Sequence, residues 1–119
     1  MSLLPIGAVL IVALIQAVIA LVEILFWTRE PVYTRLERLA FTRAEAIKVA
    51  PIVANAGLYN GFLAAGLLCG VLVESAPSIY FFLSCVALAG LVGAATLKPT
   101  TLVLQTLPAA AAALTVWRA

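Results

Sequence analysis

The chain predicts an all-α membrane protein, an antiparallel bundle of four transmembrane helices filling residues 1–119 as one domain, and three observations carry that prediction. Hydrophobic residues make up 66% of the sequence and charged residues 10%, against about a quarter charged in soluble domains, and the mean hydropathy is +1.21. Four apolar runs, Leu3 to Trp27, Val49 to Val73, Pro77 to Leu97 and Thr101 to Trp117, match or approach the length of about 20 helical residues that crosses a hydrocarbon core. The second and third runs are joined by Glu74-Ser-Ala-Pro77 and the third and fourth by Lys98-Pro-Thr100, connections short enough to make sequence neighbours antiparallel neighbours in space.

The first run lacks the basic n-region of a cleaved signal peptide and exceeds the short apolar core such peptides carry, so it reads as a true span. Of the seven Lys and Arg residues, Arg29, Arg35, Arg38, Arg43 and Lys48 sit in the first connection and Lys98 in the third, with only Arg118 opposite. The positive-inside rule then places the first and third connections in the cytoplasm and both termini outside, with Trp27 and Trp117 marking opposite interfaces. Within the first connection, Thr34-Arg-Leu-Glu37 and Thr42-Arg-Ala-Glu45 each fit a capping box, in which hydroxyl and carboxylate satisfy a helix start. They predict a basic cytoplasmic connection in one of two forms: a short amphipathic helix with Leu36, Leu39 and Phe41 dipping into the headgroups, or a solvated loop that only sets topology. Pro51 marks a bend where the second span begins.

The second span contains Asn55-Ala-Gly-Leu-Tyr-Asn-Gly-Phe-Leu-Ala-Ala-Gly66, which helical spacing divides into two stripes. Gly57 and Gly61, with Ala50, Ala54 and Ala64 or Ala65, form a small-residue surface suited to close helix packing, within one bundle or between two copies. Asn55, Tyr59, Phe62, Gly66 and Cys69 form the other stripe, and Asn55 and Tyr59 are expected to face the bundle interior, since an unsatisfied polar group in hydrocarbon costs several kcal/mol. Gly66 joins Gly57 and Gly61 as a helix-packing position. The third span offers Leu83, Ala87, Gly90 and Ala94 on one side, with Gly93 as a further packing position, and the fourth offers Gln105, Ala109 and Ala112 beside Pro108, a kink.

A rise of about 1.5 Å per residue compares depths from a common cytoplasmic boundary. Glu23 and Gln105 each lie about 6 Å deep and Asn55 about 9 Å, with Thr96 just outside that level, while Tyr59 and Gln16 lie near 15 Å. These residues form a polar column open to the cytoplasm, with Glu23 as its one carboxylate. An intramembrane carboxylate facing a bundle interior serves as proton carrier, cation site or general base. The alternative is a Glu23 close enough to the headgroups to stay hydrated or to pair with Arg29 or Lys48. Asn55, Tyr59 and Gln105 can equally act as interhelical hydrogen bonds that fix register.

Several chemistries are excluded or disfavoured. The chain has no His and no Asp, which argues against imidazole bases and most zinc or calcium sites, and no metal or other cofactor is expected. Cys69 and Cys85 lie in apolar runs and read as small hydrophobes. A net charge of +2, without a basic patch interleaved with aromatics, gives no nucleic-acid signal.

Glu23 with Trp27, Asn55 with Gly57-Leu-Tyr-Asn-Gly-Phe-Leu-Ala-Ala-Gly66, Gly90 with Gly93-Ala-Ala-Thr96, and Gln105 followed by Leu107-Pro-Ala109 make the chain resemble a family of small bacterial four-helix membrane proteins classified only as a domain of unknown function. The resemblance runs nearly the whole length. It implies the four-span fold and a bacterial inner membrane location, and it brings no activity with it. Ile15-Gln16 stands where members typically carry a Glu-His pair, and Ala56 where they carry Gln, so the polar column is partly emptied here. The readings that follow are binding or transport of a small solute or proton through the column, and an accessory subunit that packs, as a homodimer or in a larger membrane complex, within the bilayer. A third is an enzyme on a lipid-soluble substrate with Glu23 as acid or base and Tyr59 as proton donor; whether the protein is an enzyme stays open at this level.

Overall fold

The computed structural model describes residues 1–37 and 42–119, and among these every regular element is helical: α1 (Leu3–Leu21), a π-helical segment (Val22–Phe26), α2 (Glu30–Glu37), α3 (Arg43–Leu72), α4 (Ala76–Thr96), a second π-helical segment (Leu102–Thr106) and α5 (Leu107–Arg118). Three stretches, Leu3–Phe26, Arg43–Leu72 and Ala76–Thr96, are long and apolar enough to cross a membrane. The fourth run, which only approaches that length in the sequence, is a shorter apolar helix, Leu102–Arg118, about 25 Å long at 1.5 Å per residue. Lys98 and Pro99 interrupt the chain after α4, and the next helix starts late.

Local chemistry explains the boundaries. Thr42 and Glu45 form the reciprocal capping box at the start of α3: Thr42 N–H donates to Glu45 Oε1 at 3.1 Å and Glu45 N–H to Thr42 Oγ1 at 3.1 Å. Thr34 does not start a helix. It lies inside α2 and its hydroxyl donates to the Glu30 carbonyl at 3.0 Å, because α2 has already begun at Glu30 with Pro31 in its first turn, where a missing N–H costs nothing. Pro51 sits within α3 without ending it. α3 closes on Glu74 in the left-handed region (φ 51°), with Ser75 N–H donating to Gly70 O at 2.9 Å and Glu74 N–H to Val71 O at 3.2 Å, the paired bonds that satisfy a helix's last carbonyls. Ser75 then caps α4, with Pro77 in the first turn.

Contacts sort the chain into two compact units, Met1–Gln16 with Phe62–Ala119, and Ala17–Gly61. The core of the first joins Val9, Val12 and Ala13 of α1, Leu67 of α3, Ile79, Leu83 and Val86 of α4, and Ala109, Ala112 and Val116 of α5. α4 meets the second π-helical segment closely: Thr106 Oγ1 donates to Ala87 O at 2.9 Å and Thr101 Oγ1 to Gly90 O at 2.8 Å. A Cβ on Gly90 would collide with Thr106, and one on Gly93 would lie 2.9 Å from Thr101 Oγ1. Pro108 has no N–H and its ring crowds the carbonyl four residues back. The disturbance expected there takes the form of the π-helical segment, in which Leu107 N–H reaches back to Leu102 O.

In the second unit, α2 buries Tyr33 and Leu36 against Ala46, with Trp27 and Val32 alongside. Trp27 Nε1 donates to the Ala46 carbonyl at 2.9 Å, and Arg43 stacks over the Tyr33 ring at 5.0 Å while pairing with Glu30 at 2.7 Å. The connection therefore contains a helix, but its Leu36 turns toward the protein rather than outward to headgroups, since Tyr33 and Ala46 offer it apolar surface. Arg38, Leu39 and Phe41 lie outside the described residues.

Candidate functional site

Glu23 lies in the π-helical segment that ends the first apolar stretch. A π-helical turn is rare and, inside α-helices, frequently occurs at functional sites. The side chain is half-buried, and its Oε1 accepts a hydrogen bond from Asn60 Nδ2 at 2.5 Å. Among the described residues no cation lies within ion-pair distance of Glu23, so its partner is a neutral amide and not Arg29 or Lys48. The backbones approach closely at this point. A Cβ on Gly57, which is buried, would lie 2.8 Å from Ile24 Cγ1, 2.9 Å from Glu23 Cβ and 3.2 Å from Ala20 O, and one on Gly61 would lie 3.9 Å from Ala20 Cβ.

That approach corrects the expected orientation of the polar stripe. With about 100° between successive residues, a helix that turns Gly57 and Gly61 toward Ala20 and Glu23 carries Asn55 and Tyr59 about 160° away. Asn55 is exposed, and Tyr59 is 58% exposed. Asn60, about 60° from Gly57 on the same scale, is the residue that reaches the carboxylate. It was not singled out from the sequence, although its position between two glycines of one face would have indicated it. Thr96 is exposed too, and its hydroxyl is spent on the Val92 carbonyl of its own helix at 2.7 Å.

The two glutamines belong to the other unit. Gln16 is fully buried, and neither its Nε2 nor its Oε1 has a hydrogen-bond partner; the buried Oε1 of Gln105 has none either. Each such atom left unsatisfied costs about 1–3 kcal/mol. Gly66 packs on the Phe82 ring, which leaves no room for a side chain there. Cys69 is exposed, Cys85 half-buried, and both are free thiols. Among the described residues no group of three His, Cys, Asp or Glu side chains could hold a metal.

A family model described as protein of unknown function (DUF1304) matches residues 10–117. The chain belongs to this family. No curated protein and no solved structure matches it. The matched range takes in Glu23, Asn60 and both glutamines, so the DUF1304 assignment covers the polar residues described above without attaching a role to any of them.

The geometry distinguishes the two asparagines of α3. Asn60→Leu strips the Glu23 carboxylate of the amide that donates to it and is expected to destabilise the protein by about 1–3 kcal/mol, whereas Asn55→Leu, on an exposed face, should change stability by less than about 0.5 kcal/mol. Thermal unfolding of both variants in detergent micelles checks this, and a larger loss for Asn55→Leu would contradict the pairing.

Proposed function

We propose that this chain is a multi-pass membrane protein that carries a proton, or binds a small solute, at Glu23. In this reading four helical stretches run up and down through a bacterial cytoplasmic membrane, both termini lie outside, and the basic stretch containing Arg29, Arg35, Arg43 and Lys48 faces the cytoplasm. The single observation that supports it is the Glu23–Asn60 pair: a carboxylate near the end of an apolar helix, in a π-helical turn, held by a neutral amide. Asn60 fixes Oε1 and so orients the group, while Oε2 is the oxygen left to take a proton or a donor hydrogen from a solute. Intramembrane ionisable residues so placed mark proton and ion paths.

An accessory role is favoured by a second observation. Asn55 is exposed on an apolar helix and has no hydrogen-bond partner among the described residues, a costly arrangement against lipid. A neighbouring helix, from a second copy or from a larger membrane complex, would cover it.

Proton flux into liposomes reconstituted with the purified protein, driven by an imposed pH gradient and a potassium-diffusion potential, tests the first reading. Glu23→Gln, which keeps the shape and the Asn60 contact, is expected to lower the protein-dependent flux at least about tenfold; flux that is absent from wild type, or equal in the variant, contradicts proton carriage. Disulfide cross-linking of Asn55→Cys in native membranes tests the second: a product of twice the chain's mass or more is expected, and a chain that stays monomeric contradicts it.

A further inference from the structure

We propose that Gln16 and Gln105 together form a binding site, inside the unit built from residues 1–16 and 62–119, for a small neutral molecule that both donates and accepts hydrogen bonds. The molecule is either water or a small amide-type solute. The inference is independent of Glu23, which belongs to the other unit.

The register of α1 against α5 brings the two glutamines to one level. A recess at the end of this unit is lined by Leu4 and Pro5 on one side and Leu114 and Thr115 on the other, so the start of α1 lies beside the end of α5. From Pro5 to Gln16 is a rise of about 16 Å, and from Thr115 back to Gln105 about 15 Å. Counting from a common cytoplasmic boundary separates them, because that count sets Thr101 level with Trp27, whereas the recess aligns the opposite ends of the two helices. Each glutamine also continues the core-facing stripe of its own helix. Val9, Val12, Ala13 and Gln16 are all buried at helical spacing, as are Ala109, Ala112 and Val116, with Gln105 one turn further on. The residues between the two ends pack into one cluster, so both stripes face the same core.

The donor and acceptor inventory then selects the ligand. Gln16 presents an amide nitrogen and a carbonyl oxygen, Gln105 a carbonyl oxygen, all buried and all without a partner within the protein. Buried polar atoms are satisfied in nearly all native structures, and two acceptors with one donor group are matched by a molecule that donates twice and accepts once. Water and urea both do so. No charged side chain occurs in α1 before Glu23, or between Lys98 and Arg118, so nothing beside the pair in either helix would balance an ion, and a neutral ligand fits. The π-helical segment contributes by placing Gln105 where the backbone departs from α-helical register, just before Pro108.

Solid-state NMR of the full chain in liposomes, with glutamine side chains labelled with 15N, tests the site using two probes, water and 13C-urea. Magnetisation transfer to the Gln16 amide from water is expected if water is the ligand, and from 13C-urea if the site accepts an amide solute. In either case Gln105→Met, which keeps the side-chain length and removes the acceptor, should reduce the transfer at least about fivefold while leaving the backbone spectrum unchanged. Transfer that persists undiminished in Gln105→Met would overturn the joint site. Should that variant not fold, the wild-type spectrum decides alone: direct Gln16–Gln105 side-chain contact without transfer from either probe means that the amides satisfy each other, and the proposal falls.

Discussion

The close approach of α3 to the end of the first apolar helix is the constraint on which the Ala17–Gly61 unit depends. Gly57 has no Cβ, and the space a Cβ would take is occupied by Ile24, Glu23 and the Ala20 carbonyl. Any larger residue would force the helices apart. That contact decides which face of α3 turns inward, and it would do so most strongly in the membrane setting proposed above, where helices associate by van der Waals contact and a few hydrogen bonds. Once it is set, Asn60 falls within reach of Glu23 and Asn55 does not. The chemistry available to the carboxylate thus follows from the absence of a methyl group one turn away.

The same device recurs in the other unit with a different partner. Gly90 and Gly93 let Thr101 and Thr106 come against α4, and the two hydroxyls donate to carbonyls of α4 at Gly90 and Ala87. Hydroxyl groups inside an apolar core are costly unless bonded, and a helix carbonyl with a spare lone pair is the acceptor at hand. Pro108 and the π-helical segment before it shift the backbone so that these threonines and Gln105 present themselves as they do. Small residues set the spacing, and short polar side chains lock it.

The helices themselves were legible in the sequence because hydropathy reports them directly. Three apolar stretches, the Thr42–Glu45 capping box and the short turn between α3 and α4 all follow from local chemistry. The site was legible in part. Glu23 stands out as a carboxylate in an apolar run, with Gln16 seven residues earlier on the same face, but Asn55 is expected inward only because an unsatisfied polar group in hydrocarbon is costly. A helix cannot turn a glycine stripe and a polar stripe about 160° apart toward one neighbour, and which stripe wins is decided by packing, which periodicity alone does not rank. The level of Gln105 is set by packing that periodicity does not report: Thr101 and Thr106 hold its helix against α4, and the far end of that helix lies beside the start of α1. The bonding partners Thr101 and Thr106 carry no signal in composition, since threonine in an apolar helix is common and its partner lies on another helix.

A cysteine pair reads the central contact most directly. A Cβ at position 61 lies 3.9 Å from the Cβ of Ala20, within the span of about 3.5–4.5 Å that a disulfide bridges. With Cys69 and Cys85 replaced by serine, Ala20→Cys with Gly61→Cys should oxidise in native membranes to an intramolecular disulfide, whereas Ala20→Cys with Asn55→Cys should not. A bridge from position 20 to position 55, with none to position 61, would mean that α3 turns its other face to the first helix, and the account of Glu23 and Asn60 would be wrong.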